Sequence, residues 1–248
     1  MSPTVQFERP VPNAAETRGG TSLSLLNSFE LRCDGEVVGL PISAQRLLAF
    51  LALHERPLLR PYVAGTLWLD ANDERASASL RSSLWRLNRS GHHLVESTSL
   101  QLGLAGDIDV DLRRSIALAG RLIDRTATAD DLDSAESSLA GEVLPDWYDD
   151  WLLFERERFR QLSLHALEVL ADRLVADGSL GGALRAALAA VSGEPLRESA
   201  HRALIRVHLA EGNRSEAIRQ SDLCRRVLRE KLGVDPSPQL DQLLRGST

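Results

Sequence analysis

"SASLRSSLWRLNRSGHHL", Ser77 to Leu94, carries three arginines and no carboxylate, inside a chain of 248 residues with a formal net charge of −6. On a helical wheel of about 100° per residue, its leucines part from its arginines. Ala76, Leu80, Leu84 and Leu87 fall in one narrow stripe, with Arg75, Ser79, Ser82, Arg86 and Arg89 roughly opposite and Arg81 and Trp85 along the margin. The pattern predicts a helix that starts at Asn72 or Asp73 and ends before Gly91, a residue suited to a left-handed cap. Its leucines must face a core, which leaves an arginine and hydroxyl surface on the other side.

The flanks say what that helix belongs to. "LSLLNSFELRCDGEVVGLP", from Leu23, alternates apolar and polar residues, and its Asp34-Gly35 pair marks a tight turn between two short strands of an antiparallel sheet. "AQRLLAFLALHE", from Ala44, spaces Leu47, Leu48, Leu51 and Leu53 as a first helix, with Ser43 as its expected N-cap and Pro57 as its stop. "RPYVAGTLWLD", from Arg60, places Pro61 in the first turn of a short second helix that buries Val63, Leu67 and Trp68. After the third helix, "HLVESTSLQLGLAG" reads as strand, turn, strand. A sheet, three helices and a terminal hairpin in this order describe a winged helix-turn-helix over residues 21–106.

Residues 1–20, rich in Pro, Gly and polar side chains, read as a loose tail. Beyond a connector, "DIDVDLRR", residues 107–248 read as helical, with helices near 111–122, 130–140, 149–176, 180–191, 196–211 and 214–231 and a closing helix around Leu240, Leu243 and Leu244. "ADGSLGGAL" at Ala176 aligns with "AEGNRSEAI" at Ala210, a shift of 34 residues that also pairs Leu170 with Leu204 and Ala183 with Ala217. That shift is the tetratricopeptide period, and such stacked helix hairpins bind protein partners. The fold class expected is mainly α: an N-terminal winged helix-turn-helix (α+β) followed by an all-α tetratricopeptide-like helical repeat domain.

Composition narrows the function. No stretch is long and apolar enough to span a membrane, and Cys33 and Cys224 lie far apart, so a reducing cytoplasm is expected and a zinc site is not. Arginine supplies all but one of the 29 basic residues. The one lysine, Lys231 in "REKLG", fits no phosphate loop, and no nucleophile, metal or glycine-rich motif suggests an enzyme or a cofactor. Asp146, Asp149 and Asp150, which a hydrolase reading would need, are commonly dipole partners before a helix. His92 and His93 have no second ligand set. Trp147, Trp151 and Phe154, beside Tyr148, read as a core stripe.

Charge is unevenly spread: residues 21–105 hold eight arginines against eight carboxylates, so the acidic excess lies later in the chain. Local potential decides whether DNA can dock. Arginine forks onto guanine edges or phosphates and serine serves either, as a helix in a major groove requires. Ser43, Gln45 and Arg46, at a helix N-terminus, are candidate phosphate contacts. The wing tip, Ser97 to Ser99, is a weaker one through Ser97 and Thr98, because it lacks an arginine of its own. Trp85 reads equally as a core anchor against the wing or as a stacking contact near the DNA backbone.

"AQRLLAFLALH", "GTLW", "ASLRSSLWRL", "DIDVD", "LPDWYDDWLLFERERFRQL", "GEPLRESAHRALIRVHLAEGNRSEAI" and "LREKLGVDPSPQL" are similar, in order and spacing, to blocks of the Streptomyces antibiotic regulatory proteins. The resemblance runs from Leu23 to Gly246. It implies an OmpR-type winged helix joined to a bacterial transcriptional activator domain. It also implies binding to direct repeats of double-stranded DNA near promoter −35 elements, a second protomer head to tail, and contact with RNA polymerase holoenzyme. The recognition helix becomes Ala76 to Arg89, with Ser79, Arg81, Ser82, Trp85, Arg86 and Arg89 as candidates, and the preceding loop, Asp70 to Glu74, faces polymerase. Asn88 stands where relatives usually carry arginine. A small, nucleoid-associated activator of secondary metabolism is the expectation. The alternative is a repeat adaptor or ligand sensor whose winged helix binds protein.

Overall fold

The computed structural model describes residues 20–245, so all of the expected tail except Gly20 lies outside the described residues. Strands β1 (Thr21–Ser24), β2 (Glu30–Cys33) and β3 (Glu36–Val37) form an antiparallel meander. Asp34 and Gly35, at φ 49° and 87°, make the turn between β2 and β3 with both central residues left-handed, as a tight hairpin demands. Helix α1 (Ile42–Ala52), strand β4 (Leu58–Leu59), helix α2 (Arg60–Leu67) and helix α3 (Asp73–Arg89) follow. Then come the wing strands β5 (Val95–Ser97) and β6 (Gln101–Leu104), and β7 (Asp109–Val110). The sequence pattern predicts the two strands about Asp34-Gly35 and the two of the wing, and three more are present: β1, β4 and β7. β4 adds to the wing in the order β4-β6-β5, and β7, inside the supposed connector, pairs parallel with β1 to close the sheet β3-β2-β1-β7.

The apolar stripe of α3 packs as its spacing requires: Ala76, Leu80, Leu84 and Leu87 are all buried, in one core with Leu47, Leu48 and Leu51 of α1 and Leu102 of the wing. Each such leucine contributes about 1.5–3 kcal/mol relative to an exposed one. The same core runs on into the helical part through Val143, Leu144, Leu152 and Phe159.

The helical part comprises α4 (Asp111–Ile123), α5 (Ala129–Leu139), α6 (Asp150–Ala176), α7 (Leu180–Gly193), α8 (Glu198–Ala210), α9 (Arg214–Leu232) and α10 (Pro238–Arg245). The shift of 34 residues is structural: Gly178 and Gly212 both turn their hairpins at positive φ, 75° and 73°. Leu170 and Leu204, like Ala183 and Ala217, are buried at matching places. Asp172 on α6 and Arg206 on α8, equivalent positions in successive repeats, form an ion pair at 2.7 Å.

Several polar clasps join the two parts. Asp111, first residue of α4, accepts hydrogen bonds from the backbone N–H of Leu25 (2.8 Å), Leu26 (3.1 Å) and Leu112 (2.6 Å). Burial pushes its carboxyl up, against the pull of those three donors. Arg113 donates to Ala52 O (3.0 Å) and His54 O (2.8 Å), where α1 ends and its carbonyls lack helical partners. Arg46 pairs with Asp149 (Nε to Oδ1, 2.9 Å). Leu144, buried and left-handed at φ 44°, holds a conformation that costs about 1–3 kcal/mol in a non-glycine residue. Arg156 offsets this by donating to the carbonyls of Val143, Leu144 and Trp147, while Leu144 N–H donates to Leu25 O at 2.9 Å.

The far end is held by Glu198, which accepts from Ser237 N–H at 2.8 Å, from the Ser237 hydroxyl and from Arg202. Burial raises the carboxyl of Glu198, but these donors outweigh it and leave the group below its ordinary value of 4.5. A carboxylate held below its unfolded value stabilises the fold above that value and stops doing so as pH falls through its folded value. Acidification below pH 4.5 is therefore expected to loosen α10 before α8. Hydrogen exchange read at Leu240 and Leu204 over pH 6 to 3 checks this, and equal loss of protection at both would refute it.

Candidate nucleic-acid interface

Helix α3 begins where Asn72 Oδ1 accepts the backbone N–H of Arg75 at 3.0 Å, with Asp73 and Glu74 in the first turn and Arg86 and Arg89 in the last. Both charge placements suit the helix dipole. The cap fixes the phase of the helix, so Arg75, Arg81, Ser82, Trp85, Arg86 and Arg89 are exposed and Ser79 is half-buried. Among the described residues, no ion pair involves any residue from 47 to 108, whereas arginines of the helical part are repeatedly matched to carboxylates, as in Arg121 with Asp131 and Arg160 with Glu157. Guanidinium groups without a carboxylate partner keep their charge available to phosphate or a base edge.

Arg86 Nη1 donates to Ser43 Oγ at 3.1 Å, so α1 and α3 present one polar edge. Ser43 is not the N-cap of α1: Pro41 occupies that place, the helix starts at Ile42, and the hydroxyl is turned toward α3. Trp85 is 59% exposed with the Arg89 guanidinium 5.2 Å from its ring centre, so it is no core anchor. Asn88 is exposed beside them. Gln45 and Arg46 leave the expected phosphate set. Gln45 donates to Leu40 O at 2.8 Å, and Arg46 turns back onto Asp149 and Leu67 O (3.0 Å). Both are half-buried, held there by partners within the chain.

The wing has a cation that its own sequence lacks. Arg60, first residue of α2, donates through Nη1 to Ser97 Oγ (3.0 Å) and Thr98 O (2.9 Å). Its backbone N–H donates to Leu100 O at 2.9 Å. Ser97 and Thr98 are exposed at the tip, so Arg60 supplies a positive charge there. Sequence reading missed it because a partner 37 residues away leaves no local pattern.

The aromatic stripe splits. Trp147 and Trp151 pack against the main core, with Trp151 edge-on to Phe50 at 5.2 Å. Phe154 is 84% exposed and Tyr148 95% exposed, so Phe154 is not core. Asp149 serves as an ion-pair partner for Arg46 rather than as a side-chain cap. No group of three or more His, Cys, Asp or Glu among the described residues is placed to hold a metal ion. No helix among them is long and apolar enough to cross a membrane.

The bacterial transcriptional activator domain matches residues 107–246. The regulatory protein AfsR of Streptomyces coelicolor is 28% identical over 244 residues, covering 94% of this chain and 24% of that protein. AfsR of Streptomyces griseus is 25% identical over 250 residues, covering 95% and 25%. The chain thus spans about a quarter of the length of the curated relatives it matches. Among solved structures, Mycobacterium tuberculosis EmbR in complex with a low affinity phosphopeptide superposes with a TM-score of 0.73 at 20% identity, over 92% of this chain and 64% of that one. That likeness shows the fold: a winged helix followed by a helical domain.

Proposed function

The chain belongs to the bacterial transcriptional activator domain family and is a regulator of the Streptomyces antibiotic regulatory type, a premise from which we propose that it is a sequence-specific DNA-binding activator. The observation that carries this reading is the unpaired arginine face of α3. In the proposed mode, α3 enters a major groove. There Arg81, Arg86 and Arg89 reach base edges or phosphates, Ser79 and Ser82 serve either, Arg75 contacts the backbone, and Trp85 stacks beside the Arg89 guanidinium. Arg60 and Ser43, with the wing residues Ser97 and Thr98, grip the flanking phosphates. Asn88 supplies an amide where relatives place a charge.

The working division is a winged helix over residues 21–106 and a tetratricopeptide-like activator domain over 107–248. Protomers sit head to tail on direct repeats near promoter −35 elements. The loop from Asp70 to Glu74 and the helical domain meet RNA polymerase. The setting is the cytoplasm, at the nucleoid, and the role is control of a secondary-metabolic pathway without catalysis.

Selection from random duplex DNA tests the reading directly. A spaced direct repeat is expected to emerge. Its affinity should fall with salt at a log–log slope of roughly −4 to −5, as about five phosphate contacts imply. Selection without enrichment would sink the DNA reading in favour of a protein-binding adaptor.

A further inference from the structure

A cavity of about 560 Å³ opens where the two parts of the chain meet. One wall is α6, the other the end of α7, and the floor is the segment from Leu139 to Val143, with Asn27 reaching in from the N-terminal part. Leu26 bridges Val143 there, Asn27 N–H donates to Glu142 O at 2.6 Å, and Glu142 N–H donates to Asn27 Oδ1 at 3.1 Å. At Gly193 a Cβ would come within 2.8 Å of Leu164 Cδ2, so α6 and α7 pinch together at that end. The size falls within the range of about 300–1,000 Å³ usual for small-molecule sites.

The lining selects a class of occupant. Leu139, Leu153, Leu167 and Ala189 give it apolar walls, and Leu153 is 58% exposed at the rim. The charged groups within are already matched. Arg156 donates to three backbone carbonyls, and Arg160 bonds Glu157 (2.9 Å) and Glu194 (2.7 Å). Admitting an ionic ligand would break a paired set, which is costly in a partly enclosed site. Glu142 is exposed to solvent, where its charge is screened. The uncharged polar groups left to orient a ligand are the Asn27 amide and the Ser192 hydroxyl.

We infer that this cavity binds a neutral, largely apolar small molecule, held between α6 and α7 and touching Asn27 across the junction. The inference stands apart from the DNA reading, since it involves no residue of α3 or the wing. Nile red, a neutral and mostly apolar fluorophore, is the probe. Titrated into the full chain, it is expected to show saturable fluorescence enhancement at one equivalent.

Ser192→Trp fills the cavity from an exposed position at the end of α7, and Leu153→Asp charges the opposite rim. Each is expected to weaken binding at least tenfold while circular dichroism stays unchanged. Leu232→Ser, an exposed apolar position on α9 outside the cavity, is expected to bind as the natural chain does. Absence of saturable binding by the natural chain overturns the inference. Retention of full binding by a folded Ser192→Trp or Leu153→Asp chain does the same.

Discussion

Arg86→Ala is expected to lower affinity for a selected DNA repeat by roughly 5- to 150-fold, about 1–3 kcal/mol, the range for losing one well-placed arginine contact to a base. Arg86 is exposed, its guanidinium rests on Ser43 Oγ at 3.1 Å, and it makes no ion pair among the described residues. Alanine therefore removes charge and reach without opening a cavity, and the melting temperature should barely move. Arg219→Ala, on α9 and already paired with Glu216, is the matched control and should leave affinity intact. Fluorescence anisotropy at one fixed salt concentration reads both variants. A folded Arg86→Ala chain that binds like the unaltered protein would place the DNA-facing surface elsewhere.

Asp111→Ala should act on stability instead. Two of the three N–H groups that this carboxylate accepts, on Leu25 and Leu26, belong to the N-terminal part, and the third opens α4. Removal leaves partly buried donors without an acceptor, at a total of about 3 kcal/mol. For a chain of this size that is a fall in melting temperature of roughly 6–12 °C. Burial raises this carboxyl, against the pull of the three N–H donors. Thermal melting followed by circular dichroism at pH 7 measures it, and a shift below about 2 °C would mean that the Asp111 clasp adds little to the other contacts at the junction.

What could be read from the sequence was what is locally periodic. The stripe of Ala76, Leu80, Leu84 and Leu87 needed no knowledge of the rest of the chain, and the shift of 34 residues located the turns at Gly178 and Gly212. The parallel strand β7 is only Asp109 and Val110, and its partner β1 lies almost ninety residues earlier, so nothing nearby announces it. The aromatic stripe broke for a geometric reason: Trp147 precedes the first residue of α6, Asp150, so a continuous wheel from 147 to 154 joins one residue outside the helix to two within it. Gln45 and Arg46 were misassigned because their partners, Leu40 O and Asp149, are tertiary facts. Arg60 was missed for the same cause in reverse.

The continuous core and the parallel pairing of β7 with β1 leave no free linker between the winged helix and the repeats. The two parts are therefore joined through one continuous core. In the proposed mode of binding through α3, the azimuth at which α4 to α10 would project around the DNA axis is already set within the chain. On that proposal, the side of the double helix that the activator domain would address is chosen by two strands and a handful of clasps, before any nucleic acid is met.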